Sequence, residues 1–369
     1  MDSRIVMFQP YVNERAIELV SETLRSRWIG EGPKVRQFED ELCHKFGIPH
    51  ILALNSGTAG LRLALAMCGV GPGDEVITTA QTCTATNTTI LEQFATPVFA
   101  DIQPFTGNLN PQDIEHRITE RTKAIMCVHW AGYPCDLDEI HAIAALYHLP
   151  VIEDGAHALG ATYKGRSIGA ISPFTMFSFQ AIKQLTTVDG GALCVLTPEH
   201  YDEGRRRRWF GIDRRNRRVR LDGYAYWNQT EVGYKMHMND VAAAVGLGNL
   251  EDWGFISSRR HTIAAWYYEA LADVSGVRLF LRERDRQSAD WLFTMHVERR
   301  DDFCRMMHDE GVEVSVVHIR NDEHDVFGGR RDDLPTLDAY EKTHISIPLH
   351  CHLTDDDVEY VIRCIRGGW

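Results

Sequence analysis

The sequence predicts an α/β protein with a mostly parallel sheet of seven strands, helices on both faces, and a smaller α+β domain after it. Seven short apolar runs recur between residues 51 and 196: ILAL, EVIT, PVFA, AIMCV, PVIE, FTMFSF and ALCVL. Between several of them lie stretches with apolar residues at helical spacing, such as AGLRLALAM after residue 58 and LDEIHAIAALYH at 137–148. Strand-helix alternation of this kind implies parallel strands covered on both sides. A chain of 369 residues also exceeds the size at which one core stops growing.

The first run, ILAL, opens the sheet and ALCVL closes it. Beyond about residue 225 the rhythm changes to long helical stretches, NDVAAAVGLGNLEDW and RRHTIAAWYYEALADV, and then to shorter strand-like pieces. The expected division is a large domain over 1–240, N-terminal segment included, and a small domain over 241–369.

Composition narrows the class. Hydrophobic content of 44%, charged content of 25%, 29 Gly and 13 Pro are those of a globular chain, which sets aside collagen-like and disordered readings. The opening residues are charged throughout and do not read as a signal peptide, and no apolar run is long enough to span a bilayer. Nine cysteines, odd in number and without a C-x-x-C pair, suit a reduced cytoplasm and suggest no metal site. A net charge of −13 argues against nucleic-acid binding, which needs clustered positive charge. One stretch departs from this: nine of the sixteen residues 205–220 are arginine.

Parallel sheets bind ligands at the carboxyl ends of their strands, so chemistry is sought just after each run. After ILAL come Asn55, Ser56, Gly57 and Thr58 and then a helix, which sets unpaired amides and the positive end of a helix dipole where a phosphate could sit. Gly57 would let the backbone approach closely. After PVIE come Asp154 and His157; a carboxylate at that place can keep the ring nitrogen of pyridoxal phosphate (PLP) protonated. FTMFSF delivers Ser178 and then Lys183, a lysine between two buried strands whose desolvation would free its neutral amine for a Schiff base.

In order and spacing, SGT, EDGAHA and FSFQAIKQLTTVDGG resemble the DegT/StrS family of fold-type I, PLP-dependent sugar aminotransferases. WIGEGPKVRQFEDELCHKFG is similar to that family's opening segment, and GYKMHMNDVAAAVGLGNLE to its dimer-contact segment. The resemblance implies that Lys183 carries PLP as a Schiff base, that Asp154 partners the pyridine nitrogen, and that His157 lies near the phenolic oxygen. Gly57, Thr58 and Ser178 would hold the phosphate. Asn239 matches the asparagine that completes the phosphate site of the neighbouring subunit, which implies a homodimer with shared active sites. Many relatives place an aromatic residue against the pyridine ring where this chain has Cys83, a smaller and softer contact.

The expected reaction is a two-stroke transamination. An amino acid, L-glutamate by resemblance, gives up its amino group, and a nucleotide-linked 4-keto or 3-keto deoxyhexose receives it. Arg214, Arg215, Arg217 and Arg218 are candidates for its diphosphate, since guanidinium forks match phosphate. His318 is a further substrate candidate; His129, His237 and His350 are open to either packing or the site. A non-nucleotide sugar aldehyde or sugar acid is the alternative acceptor. Lys183 argues against the lysine-less dehydratases of the family, and Lys183 with Asp154 against a non-catalytic regulatory protein.

Overall fold

The computed structural model describes residues 5–369; residues 1–4 of the expected large domain lie outside the described residues. All seven anticipated strands form, and they form one sheet: β1 His50–Leu54, β2 Glu75–Thr79, β3 Thr96–Ala100, β4 Thr122–Val128, β5 Val151–Asp154, β6 Phe174–Ser178 and β7 Gly191–Val195. Their order is β1-β7-β6-β5-β4-β2-β3. β7 runs antiparallel to both its neighbours, and the other ladders are parallel.

Each strand reads as a continuous apolar run because both of its faces are covered. In β1, Ile51 and Ala53 join a core with Val35, Phe38, Ile140 and Leu247, while Leu52 and Leu54 face Leu61, Leu65 and Met236 on the other side. The first nine helices are α1 Glu14–Ser26, α2 Pro33–Phe46, α3 Gly57–Met67, α4 Thr84–Leu91, α5 Pro111–Arg117, α6 Leu137–Leu146, α7 Pro198–Arg207, α8 Asp240–Glu251 and α9 Trp253–Leu271. Phe38 of α2 sits edge-on to Phe179 at 5.4 Å, which locks that helix to the end of β6.

Helix α8, placed by the sequence at the opening of the small domain, buries Ala243, Ala244, Leu247 and Leu250 in the core of the large sheet. Its alanines and glycines let α1 and α2 approach closely: a Cβ on Gly248 would stand 2.3 Å from the Ala16 amide nitrogen. Beyond it, the three-stranded antiparallel sheet β8 Val277–Leu279, β9 Phe293–Val297 and β10 His344–Ile347 packs with α9 around Tyr267, Phe303 and Val361. A ribbon of Arg218–Val219 with Ala225–Tyr226 stands apart from both sheets. Among the described residues no helix is long and apolar enough to cross a membrane.

Candidate active site

The carboxyl ends of β1, β6 and β5 bring the predicted residues into adjacent positions. Ser56 caps α3, its side chain accepting from the Ala59 amide at 3.1 Å, so the helix starts on Gly57. Ser178, the last residue of β6, pairs with Gly191, and a Cβ on Gly57 would lie 3.1 Å from the Ser178 Cβ and 2.8 Å from the Met176 sulfur. Any larger residue at Gly57 would press on Met176 and Ser178 where the first amides of α3 meet the end of β6. Asp154 ends β5, two ladders from β7, and is 3% exposed. Its Oδ2 accepts from the Thr86 hydroxyl at 2.7 Å and its Oδ1 from the Ala156 amide at 3.0 Å. Burial raises its pKa, and those two donors and the charge of Lys183 oppose the rise.

Lys183 lies half-buried in the loop between β6 and β7. Burial pushes its pKa down to about 8, partly offset by the Asp154 carboxylate and by Cys83. Its Nζ stands 3.6 Å from the ring centroid of Trp291, a cation–π contact. The Trp291 indole N–H donates to the carbonyl of Ile182, next to the lysine, at 3.0 Å. The imidazole of His157 stacks on Trp291 at 3.8 Å and 20°. His318 lies parallel to His157 at 6.0 Å. Burial, then the charge of Lys183, lowers the pKa of both, to about 4 for His318. Val317, just before it, has φ 64°, a strained conformation for a β-branched residue and one that gathers at functional sites.

Other expectations fall differently. Cys83 does lie near Lys183, at the start of α4, but the aromatic ring on the lysine comes from Trp291, 208 positions further along the chain. Asn239 is exposed and caps α8, accepting from the Ala242 amide at 2.9 Å. Most of the arginine-rich stretch is neutralised within the chain. Arg214 pairs with Glu31 at 2.7 Å, Arg215 with Asp213 and Asp202, Arg206 and Arg207 with Glu231, and Arg208 with Glu31 and Glu39. Arg217 and Arg218 have no ion pair among the described residues; Arg217 lies 5.9 Å from the Trp227 ring. His129 is fully buried against Glu153 at 2.6 Å, His237 packs edge-on to Trp209, and His350 bonds the Val6 carbonyl.

Sequence reasoning missed Thr86, Trp291 and Gln184, whose side-chain amide donates to the His157 carbonyl at 2.7 Å. Thr86 could have been found, since it lies in the segment after β2 that already drew attention. Trp291 carries no local signal.

The residues present fit PLP. Asp154 keeps a free lone pair on each oxygen for a ring N–H, and the Nδ1 of His157 and the Nε2 of His318 are buried with no hydrogen-bond partner. The cradle at Gly57 offers amides and hydroxyls to a phosphate, and Lys183 offers an amine that loses its proton readily.

Fold and site together define the class: a PLP-dependent aminotransferase of fold type I. Residues 10–366 match the DegT/DnrJ/EryC1/StrS aminotransferase family, and the chain belongs to it. It is 39% identical to the spore coat polysaccharide biosynthesis protein SpsC of Bacillus subtilis, over 97% of this chain and 95% of that protein. The crystal structure of the sugar aminotransferase CalS13 from Micromonospora echinospora superposes with a TM-score of 0.93 at 35% identity, covering 98% of this chain and 99% of that one. Spr1654 of Streptococcus pneumoniae, solved in a PLP form and a PMP form, gives 0.91 at 31% identity, covering 99% of this chain in both. The protein is thus a member of a sugar aminotransferase family that works with PLP.

Proposed function

We propose that this enzyme takes the amino group of L-glutamate and places it on a keto-sugar carried by a nucleotide diphosphate, a 4-keto or 3-keto deoxyhexose, in amino-sugar biosynthesis. The observation that carries the reading is the half-buried Lys183, with its lowered pKa, beside the fully framed carboxylate of Asp154. When bound, the cofactor supplies an electron sink that eases proton loss from the carbon bearing the nitrogen.

The rest is the work of the chain. Gly57, Thr58 and Ser178 anchor the phosphate, and Asp154 holds the ring nitrogen's proton. His157, kept neutral by burial, would lie beside the cofactor's phenolic oxygen. Lys183 would hold the cofactor through its Nζ, and that amine, when free, would take a proton from the donor's α-carbon and later return one to the sugar carbon. A pKa of about 8 leaves part of its population neutral at physiological pH, as a base needs to be. Asn239, exposed and unengaged by its own site, is assigned to the phosphate of a second subunit in a homodimer. All nine cysteines are unpaired, which supports work in a reducing cytoplasm.

Purified enzyme with glutamate and a panel of keto-sugar nucleotides, followed by 2-oxoglutarate release and product mass, tests the reading. Activity with a free sugar aldehyde or sugar acid and none with the nucleotides would support the second acceptor class. The pairing of Arg214 and Arg215 inside the chain favours that class, leaving Arg217 and Arg218 for a diphosphate. Mixed dimers of Lys183→Ala and Asn239→Ala subunits should regain activity that neither parent has, if sites are shared.

A further inference from the structure

A chain of buried hydrogen bonds ties Asp154 to the smaller layer of the protein. Asp154 Oδ2 accepts from Thr86, and the Thr86 hydroxyl lies 2.8 Å from that of Thr82. An ionised carboxylate only accepts, so Thr86 spends its proton on Asp154, and Thr82 must be the donor to Thr86. The Thr82 carbonyl accepts from Asn321 Nδ2 at 2.7 Å, across 239 positions of sequence. Asn321 is held further: its Oδ1 accepts from Asn87 Nδ2 at 2.8 Å and its backbone N–H donates to the Ala80 carbonyl at 2.8 Å. Asn87 continues to the Thr79 carbonyl at 2.9 Å and accepts from Thr78 at 3.1 Å. Every one of these side chains is buried, none above 3% exposed. Beside Asn321, the fully buried Arg320 grips Asp322 through two bonds of 2.6 Å, which fixes the turn.

Asn321 lies three residues after His318, in a turn whose residues Arg320, Asn321 and Asp322 are all fully buried against the loop after β2. Asn321 thus fixes the backbone of Thr82, and the Thr82 hydroxyl in turn holds Thr86 in place as donor to Asp154, so in this dry interior the two ends are coupled through position.

We propose that Thr86 and Asn321 are positioning residues that act on the reaction through Asp154, so that the loop carrying His318 and the carboxylate facing the cofactor's ring nitrogen are set as one unit. The proposal rests on the assignment of Asp154 made above. The other charged groups acting on Asp154 are Lys183 and His129, neither of which belongs to the relay.

The holoenzyme tests it through two readouts besides turnover: PLP dissociation, and the pH midpoint of the visible band of the lysine-bound cofactor. Thr86→Val removes a bond to a charged group and should weaken PLP about tenfold. It should also move the midpoint upward, because an Asp154 that is less firmly anionic leaves the ring less electron-poor. Thr86→Ser should restore both. Asn321→Ala, which touches neither Asp154 nor the cofactor, should move both in the same direction by about threefold in affinity. The double variant should match Thr86→Val alone, since the two act along one path. An Asn321→Ala holoenzyme with the parent's affinity and midpoint, or independent multiplication of the two effects, overturns the proposal. Should Asn321→Ala not fold, Asn87→Ser interrupts the same network from the other side and is read the same way. Unaltered PLP affinity and spectrum in Asp154→Asn would instead sink the assignment of Asp154 itself.

Discussion

Replacing Lys183 by methionine should make the cofactor-free protein more stable at neutral pH, and the gain should vanish in alkali. Lysine in an unfolded chain titrates at about 10.4; in the fold Lys183 titrates at about 8, because burial disfavours its charge. Between those values the unfolded chain binds one more proton than the folded one, so stability rises with pH across that window. Below about pH 8 both states are protonated, and the buried ammonium costs its full amount, about 3 kcal/mol at about 1.4 kcal/mol per tenfold change in proton affinity. The Trp291 face at 3.6 Å is available to the charge, and this figure of about 3 kcal/mol is the net cost with it in place. Lys183→Met should therefore be more stable than the parent by about 3 kcal/mol at pH 7 and equal to it above about pH 10.5. Urea unfolding of both apoproteins at intervals from pH 7 to 10.5 measures this directly. A difference that stays constant across the series would refute the reasoning, because it would show that Lys183 carries the same charge folded and unfolded.

Other outcomes follow from the same geometry. His318 titrates at about 4 when folded against about 6.5 unfolded, so stability should fall as pH drops through that window; His318→Asn should flatten this part of the apoprotein's stability curve. Gly57→Ala would push a methyl group against Met176 and Ser178, and should lower PLP affinity at least tenfold in an equilibrium titration while costing about 1–3 kcal/mol of stability. Asp322→Ala removes the bidentate partner of the fully buried Arg320 and leaves Asp338 as its close carboxylate, so it should cost about 1.5–3 kcal/mol in denaturant unfolding.

The fold was legible because burial on both faces writes each strand as an unbroken apolar run, and the ends of ILAL, PVIE and FTMFSF then pointed to Gly57, Asp154, Ser178 and Lys183. What was not legible depends on contacts between distant segments. Trp291 reaches Lys183, and Asn321 reaches Thr82, through folding of the whole chain, and neither has a neighbour that marks it. The pairing of the arginine-rich stretch was hidden for the same reason: Glu31, Glu39 and Glu231, which neutralise much of it, lie outside the stretch. Local sequence shows a concentration of charge but not the partners that cancel it.

The reversed strand β7 has a mechanical consequence. A parallel strand there would need a crossover along a face back to the opposite ends of the strands, whereas the reversed one lets residues 179–190 leave and re-enter the sheet at the same end of the strands. That span is clasped at its base by the Phe179 amide on the Gly190 carbonyl and the Thr187 amide on the Phe179 carbonyl, both 2.9 Å. Lys183 thus rides on a short, pinned tether. A lysine so placed can change what its Nζ touches by swinging its own four-carbon arm, while the backbone beneath it stays pinned.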